Sequence, residues 1–173
     1  LYMTVFVPDF GIKGIWMSFF HSISAFCNAG FDIMGTEGAK FASITSYLGN
    51  SVINVTIMLL IVIGGIGFLT WEDICTNKLH FKRYRMQSKV ILVTSALLIL
   101  LPAVFFFFVD FADMPMKERV LGSLFQAVTP RTAGFNTADL TAMTGAGQAI
   151  IIVLMLIGGS PGSTAGGMKT TTF

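Results

Sequence analysis

Three long stretches of the chain, residues 41–71, 90–109 and 140–168, contain no Asp, Glu, Lys or Arg. Each can hold the roughly 20 apolar residues that cross a bilayer. The pattern therefore predicts three spans: Ser51–Trp71, Val90–Val109, and one that begins as Ala142–Ile157 and is interrupted over Gly158–Gly167. Two further apolar segments are too short to cross. Ile15–Phe26, with Trp16 at an interfacial position, and Lys117–Val128, whose apolar part is only Val120–Val128, read as half-helices that enter the membrane and turn back. Pro130 stops the second. Pro8, Asp9, Gly11 and Gly14 mark residues 1–14 as a loop, and Asp32–Lys40 reads as a polar return.

The chain also repeats itself. Phe20-His-Ser-Ile-Ser-Ala-Phe-Cys-Asn-Ala-Gly-Phe-Asp32 aligns with Phe125-Gln-Ala-Val-Thr-Pro-Arg-Thr-Ala-Gly-Phe-Asn136 when one residue is skipped, and Leu60-Ile-Val-Ile-Gly-Gly65 aligns with Leu154-Met-Leu-Ile-Gly-Gly159. One unit reads span, half-helix, turn, span. This is an all-α integral membrane fold, and an even number of crossings puts both turns on the same outer side. Its parts are 1–71, a half-helix and the span after it; 72–89, a basic loop; and 90–173, a second unit cut within its last span. The first unit is expected to stay helical where the second breaks. Because the sequence starts at Leu1 and stops just after a glycine-rich run, it reads as a piece of a longer chain.

Composition agrees with the membrane reading: 54% of residues are hydrophobic and 12% charged, against about 25% charged in soluble domains. The basic residues matter through their placement. Lys78, Lys82, Arg83, Arg85 and Lys89 crowd residues 72–89 against Glu72 and Asp73, which places this loop in the cytoplasm. The loop after Val109, with Asp110, Asp113 and Glu118, is net acidic and faces outward. Nothing in the charge pattern points to nucleic acid. Cys27 and Cys75 fall on opposite sides of the predicted membrane and read as small apolar side chains. Asn54-Val-Thr56 matches a glycosylation pattern but lies inside a span, where it is incidental. Gly64, Gly65 and Gly67 read as close helix packing.

The two turns carry the candidate chemistry. A cation that leaves water needs oxygens of equal worth, and backbone carbonyls supply them without a formal charge that would trap it. Aiming successive carbonyls inward requires dihedrals that glycine adopts cheaply, and Gly30 and Gly134 are placed for this. Both half-helices direct the negative ends of their dipoles at the turns, and Asp32 and Asp139 raise the local cation concentration. Arg131, beside the second turn, is expected to hold it through a salt bridge. His21 packs or hydrogen-bonds, His80 lies in the solvated basic loop, and Phe105–Phe108 face lipid or the bundle. No grouping supports nucleophilic or acid–base catalysis. The break over Gly158–Gly167 needs its backbone satisfied by protein or water, which suits a cavity lining. A plain kink or helix end before a cytoplasmic tail remains the competing reading, whereas Met168 before Lys169 spoils a phosphate-loop pattern.

Ala25-Phe-Cys-Asn-Ala-Gly-Phe31, Gln126-Ala-Val-Thr-Pro-Arg-Thr-Ala-Gly-Phe-Asn-Thr137 and Ile157-Gly-Gly-Ser-Pro-Gly-Ser-Thr-Ala-Gly-Gly-Met-Lys-Thr170 resemble the second and third repeats of the Trk/Ktr/HKT potassium transporters, with the Ser-Pro-Gly-Ser-Thr form closest to the bacterial Ktr membrane subunit. The resemblance implies span–pore-helix–filter–span repeats, incomplete here, around a potassium-conducting pore in the cell membrane. It makes Asn28, Ala29, Gly30 and Phe31 one filter strand and Thr132, Ala133, Gly134 and Phe135 another, with K+ at the backbone carbonyls of Asn28, Gly30, Thr132 and Gly134. Gly158, Gly159, Ser160, Pro161, Gly162, Ser163, Thr164, Ala165, Gly166 and Gly167 become an intramembrane gating loop. It further implies K+ as the transported ion, with Na+ as a second candidate, and as partners the remaining repeats of the parent chain, a second copy in a homodimer, a cytosolic ring of nucleotide-binding subunits, and lipid. The alternative is a structural membrane protein that uses its glycines for helix packing and moves no ion.

Overall fold

A computed structural model describes residues 1–35, 43–78 and 80–172, and among these the regular structure is helical, with one isolated parallel bridge between Ile157 and Met168. The helices are α1 (Met3–Phe10), α2 (Ile12–Phe26), α3 (Ser51–Ile66), α4 (Phe68–Asn77), α5 (Met86–Phe108), α6 (Met116–Val128) and α7 (Gly145–Leu156). Helices stand where both half-helices are expected: α2 starts three residues before the expected Ile15, and α6 one residue before the expected Lys117. The part of the polar return beyond residue 35 lies outside the described residues.

Three expectations are corrected. Residues 1–14 are not a loop, because Met3–Phe10 is helical despite Pro8 and only Gly11, at φ 59°, breaks the chain. Burial overrides the local breakers there: Phe6 is fully buried against Tyr47 and His21, and a side chain at Gly14 would overlap the Phe6 carbonyl. The span Ser51–Trp71 is not straight, since α3 stops at Ile66 and α4 leaves at 98° to it. Gly67, at φ 94°, is the corner, so the first unit breaks as the second does. Finally, among the described residues α5 alone is a single helix long and apolar enough to cross a membrane; the bent α3–α4 pair makes a second only when counted as one span, and α7 is 12 residues.

Packing follows from the half-helices. α2 lies between α1 and α3, while α6 packs on α5 and also touches α3 and α7. Phe125 and Val128 of α6 join Ile53, Ile57 and Ile61 of α3 in one core. Ala127, on another side of α6, joins Ala103 and Phe106 of α5 and Ile151 and Leu154 of α7 in a second. Thus one 13-residue helix links both cores. Phe105–Phe108 divide accordingly, with Phe106 buried and Phe108 exposed, and Arg119 stacks on the Phe107 ring at 4.1 Å.

Polar side chains close the ends. Asn54 is fully buried and its amide donates to the carbonyls of Tyr47, Leu48 and Asn50, so the glycosylation pattern is indeed incidental. Much of the expected basic loop is helical. α4 runs on through Asn77, and α5 begins at Met86, where Asp73 accepts from the Arg85 N–H and the Ser88 hydroxyl. Asp110 accepts from the Thr144 N–H and hydroxyl, which ties the end of α5 to the start of α7.

The expected close packing at the α3 glycines holds for Gly64, where a side chain would overlap the Phe26 carbonyl and lie 2.8 Å from the Thr164 hydroxyl. Gly65 has only the Asn28 amide nearby, at 3.9 Å. Gly64→Ala should therefore destabilise the detergent-solubilised protein by about 1–3 kcal/mol, while Gly65→Ala is nearly silent. Thermal unfolding of the two variants side by side checks this; equal loss at both positions would contradict the packing.

Candidate functional site

Each half-helix ends in a short loop, and the two loops share a backbone pattern. Asn28 and Gly30 have φ values of 51° and 70°; Thr132 and Gly134, at the matching repeat positions, have 72° and 88°. Ala29 and Ala133, between them, are not left-handed. Alternation of this kind can turn successive peptide groups toward one side. Glycine takes these angles freely and asparagine tolerates them, but for a β-branched threonine they cost energy. Thr132 is therefore held by its surroundings.

The loops meet each other. A side chain at Gly30 would overlap the Ala133 carbonyl and come within 3.2 Å of the Gly134 backbone. Gly134 instead faces open space. Each loop is fastened at both ends by one residue at the end of the helix before it, Ser24 within α2 and Thr129 just past α6. The Ser24 carbonyl accepts the Ala29 N–H at 2.9 Å while its hydroxyl donates to the Phe31 carbonyl at 2.7 Å. Likewise, the Thr129 carbonyl accepts from Ala133 and Gly134, and its hydroxyl donates to the Phe135 carbonyl at 2.6 Å. Between these fastenings, among the described residues, no hydrogen bond ends on the carbonyls of Asn28, Ala29, Gly30, Thr132, Ala133 or Gly134. Sequence reading missed Ser24 and Thr129, although their alignment in the repeat was a usable signal.

The surroundings of the loops differ. Phe135 is 1% exposed and packs in the α3 core, whereas Phe31 is 70% exposed. After the second loop, the Asn136 carbonyl accepts the Ile44 N–H and the Asn136 N–H donates to the Ser43 hydroxyl. Asp32 accepts from the Met34 N–H, and Asp139 accepts from the Thr141 hydroxyl and N–H, which hold its carboxyl below the usual carboxylate range. His21 packs among Phe6, Phe20 and Phe135 with Nδ1 at 2.7 Å from the Met17 carbonyl. His80 is exposed, and Cys27 and Cys75 are free thiols.

Among the described residues, Arg131 forms no salt bridge of the kind expected. Its side chain is buried, one guanidinium nitrogen lies 3.3 Å from the Ser95 hydroxyl on α5, and Nε has no partner among the described residues. The reason is placement: α5 presents a serine rather than a carboxylate to this corner. Other buried side-chain atoms without a hydrogen-bond partner among the described residues include Asn28 Oδ1, Thr132 Oγ1, Gln126 Oε1 and Thr137 Oγ1.

Residues 158–167 form a compact irregular segment against the first unit. Internally, Gly158 donates to Met168, Gly159 to Gly166, and the Ser163 hydroxyl to the Ser160 carbonyl. Outward, the Ser160 N–H donates to the Gly65 carbonyl at 3.0 Å and the Thr164 N–H to the Gly64 carbonyl at 3.2 Å. These are carbonyls that the end of α3 leaves without a helical partner. In return, Gly162 accepts the N–H of Phe68 across the corner. The Thr164 hydroxyl donates to the Phe26 carbonyl at 2.8 Å and accepts from the Asn28 amide at 3.1 Å, linking this segment to the first loop. A cavity of about 20 Å³, room for roughly one water, lies between Asn28, Gly65, Ser95, Arg131 and Gly159.

Residues 3–173 match the TrkH cation transport protein family. The chain is 40% identical over 97% of its length to the potassium/sodium uptake protein NtpJ of Enterococcus hirae, covering 37% of that protein. It is 35% identical over 96% of its length to the Ktr system potassium uptake protein B of Bacillus subtilis, covering 38% of it, and 34% identical over 96% to that of Vibrio alginolyticus, covering 37%. The chain thus spans little more than a third of the length of these curated relatives. It belongs to the TrkH family of cation transport proteins, a family of plasma-membrane transporters and not of enzymes.

Proposed function

We propose that this chain is part of the pore-forming subunit of a potassium uptake system, in which Asn28–Phe31 and Thr132–Phe135 line the ion path and Gly158–Gly167 gate it. The observation that carries the reading is the pair of touching loops with matched left-handed positions, whose intervening carbonyls make no hydrogen bond among the described residues. Such carbonyls are free to replace the water around a cation. K+ at the carbonyls of Asn28, Gly30, Thr132 and Gly134 fits this, with Na+ as the competitor. Buried polar atoms at Asn28, Thr132 and Gln126 would be satisfied by a water-filled path.

Two loops supply only part of a ring, so the remaining repeats of the parent chain complete it. A homodimer in lipid, resting on a cytosolic ring of nucleotide-binding subunits near residues 72–89, is the assembly this reading carries. Residues 1–71 and 90–173 are then two units of the pore. The gate reading rests on the position of residues 158–167, docked on α3 and joined through Thr164 to the first loop, with only a one-water cavity beside them.

In the full-length parent, expressed in cells without other potassium uptake, Gly134→Ser should lower potassium uptake or its preference over sodium by about tenfold, since the position requires a positive φ. Uptake and preference at the wild-type level, with normal membrane abundance, would remove Gly134 from the ion path; a correctly assembled wild type with no uptake at all would favour the packing-only alternative. Thr164→Val removes the hydroxyl that bridges Phe26 and Asn28, and it should raise flux in the absence of the regulatory subunits by about tenfold, the worth of one or two such bonds. Flux that stays at the closed level would refute the gate.

A further inference from the structure

We infer that Ser24 and Thr129 are the positioning residues for ion discrimination, their hydroxyls setting the spacing of the carbonyls in the two loops; this rests on the proposal that the loops line the ion path. Three observations carry it.

First, these hydroxyls do not follow the back-bonding pattern of Ser18, Ser22 and Thr56. Ser18, Ser22 and Thr56 each donate back to the carbonyl four residues earlier, at Gly14, Ser18 and Val52. That back-bond is the local default for serine and threonine in helices. Ser24 and Thr129 instead reach forward by seven and six residues to Phe31 and Phe135. The difference of one residue equals the single gap in the repeat alignment.

Second, each clamp spans its loop. The carbonyl of Ser24 or Thr129 holds the N–H of the second loop residue, Ala29 or Ala133, and the hydroxyl of the same residue holds the carbonyl of the fourth. The first three carbonyls between are left without hydrogen bonds among the described residues. Their spacing is therefore set by a separation fixed within a single side chain and its own backbone. Discrimination between cations of different radius depends on how firmly such oxygens are held, whether through cavity size or through the number of oxygens presented.

Third, both hydroxyls are buried. Ser24 and Thr129 are each 5% exposed, so water does not replace the bond when the hydroxyl is removed. The fourth carbonyl is then free to rotate, and the three before it lose their fixed end.

The test is uptake of potassium against increasing sodium, in the full-length protein with its regulatory subunits, for Thr129→Val, Thr129→Ser, Ser24→Ala and Gly134→Ser, with membrane abundance measured alongside. Thr129→Val keeps the shape and removes the hydroxyl; it should lower the potassium-over-sodium ratio by about tenfold, and Ser24→Ala should lower it in the same direction. Thr129→Ser should restore the wild-type ratio. Equal loss in Thr129→Ser and Thr129→Val would assign the effect to the methyl group and overturn the inference. Wild-type discrimination in both Thr129→Val and Ser24→Ala, together with its loss in Gly134→Ser, would overturn the clamp and leave the ion path standing. Wild-type discrimination in all the variants would overturn both. Should Thr129→Val fail to reach the membrane, Ser24→Ala decides alone, because it removes a single oxygen at the matching position.

Discussion

The structure depends on one constraint: backbone groups freed by a broken helix need partners where lipid offers none. Two breaks among the described residues face each other. α3 ends at Ile66 and α4 leaves at 98° past Gly67, and α7 ends at Leu156 before the irregular segment 158–167. The two breaks solve each other's problem. Ser160 and Thr164 donate to the carbonyls of Gly65 and Gly64, and Phe68 donates to Gly162. Leu60–Gly65 and Leu154–Gly159 are the aligned parts of the two units, so the repeat has placed its breaks where they can pair. Trp71 adds a bond of its own, its indole reaching back 2.9 Å to the Ile63 carbonyl.

Thr164 connects this junction to the loops. Its N–H serves α3, its hydroxyl serves the end of α2, and the amide of Asn28 donates to the same oxygen. Gly64 permits the approach, since any side chain there would overlap the Phe26 carbonyl. A displacement of residues 158–167 would therefore release Asn28, the first left-handed residue of the first loop. The geometry of the loop and the position of the break segment are coupled through one hydroxyl.

α6 plays a comparable part for hydrophobic packing. Phe125 and Val128 are bound into the α3 core and Ala127 into the α5–α7 core, which holds the helix before the second loop between two packed layers. Arg131 and Thr132 can adopt costly arrangements because these layers leave them no alternative. The first loop, with Phe31 exposed at 70%, has cover on fewer sides.

Several features were legible in the sequence by itself. The two half-helices followed from short apolar runs ended by small residues, and the repeat was visible in Phe20–Asp32 and Phe125–Asn136. Left-handed backbone at Gly30 and Gly134 followed from the need for glycine, and the irregular segment from five glycines and a proline within ten residues. Local composition settles such features because they depend on length, apolarity and dihedral freedom. Tertiary structure decided the rest. The bend at Gly67 escaped because glycines in an apolar run signal packing as readily as a corner, and only the N–H groups of Ser160 and Thr164 show which. Met3–Phe10 became helical through the burial of Phe6, which outweighed Pro8. Arg131 met Ser95 because α5 presents that face. Ser24 and Thr129 reach forward rather than back because each loop brings a carbonyl to within 3 Å. All of these depend on distances between segments far apart in the chain or folded back on themselves, and periodicity and composition carry no record of such distances.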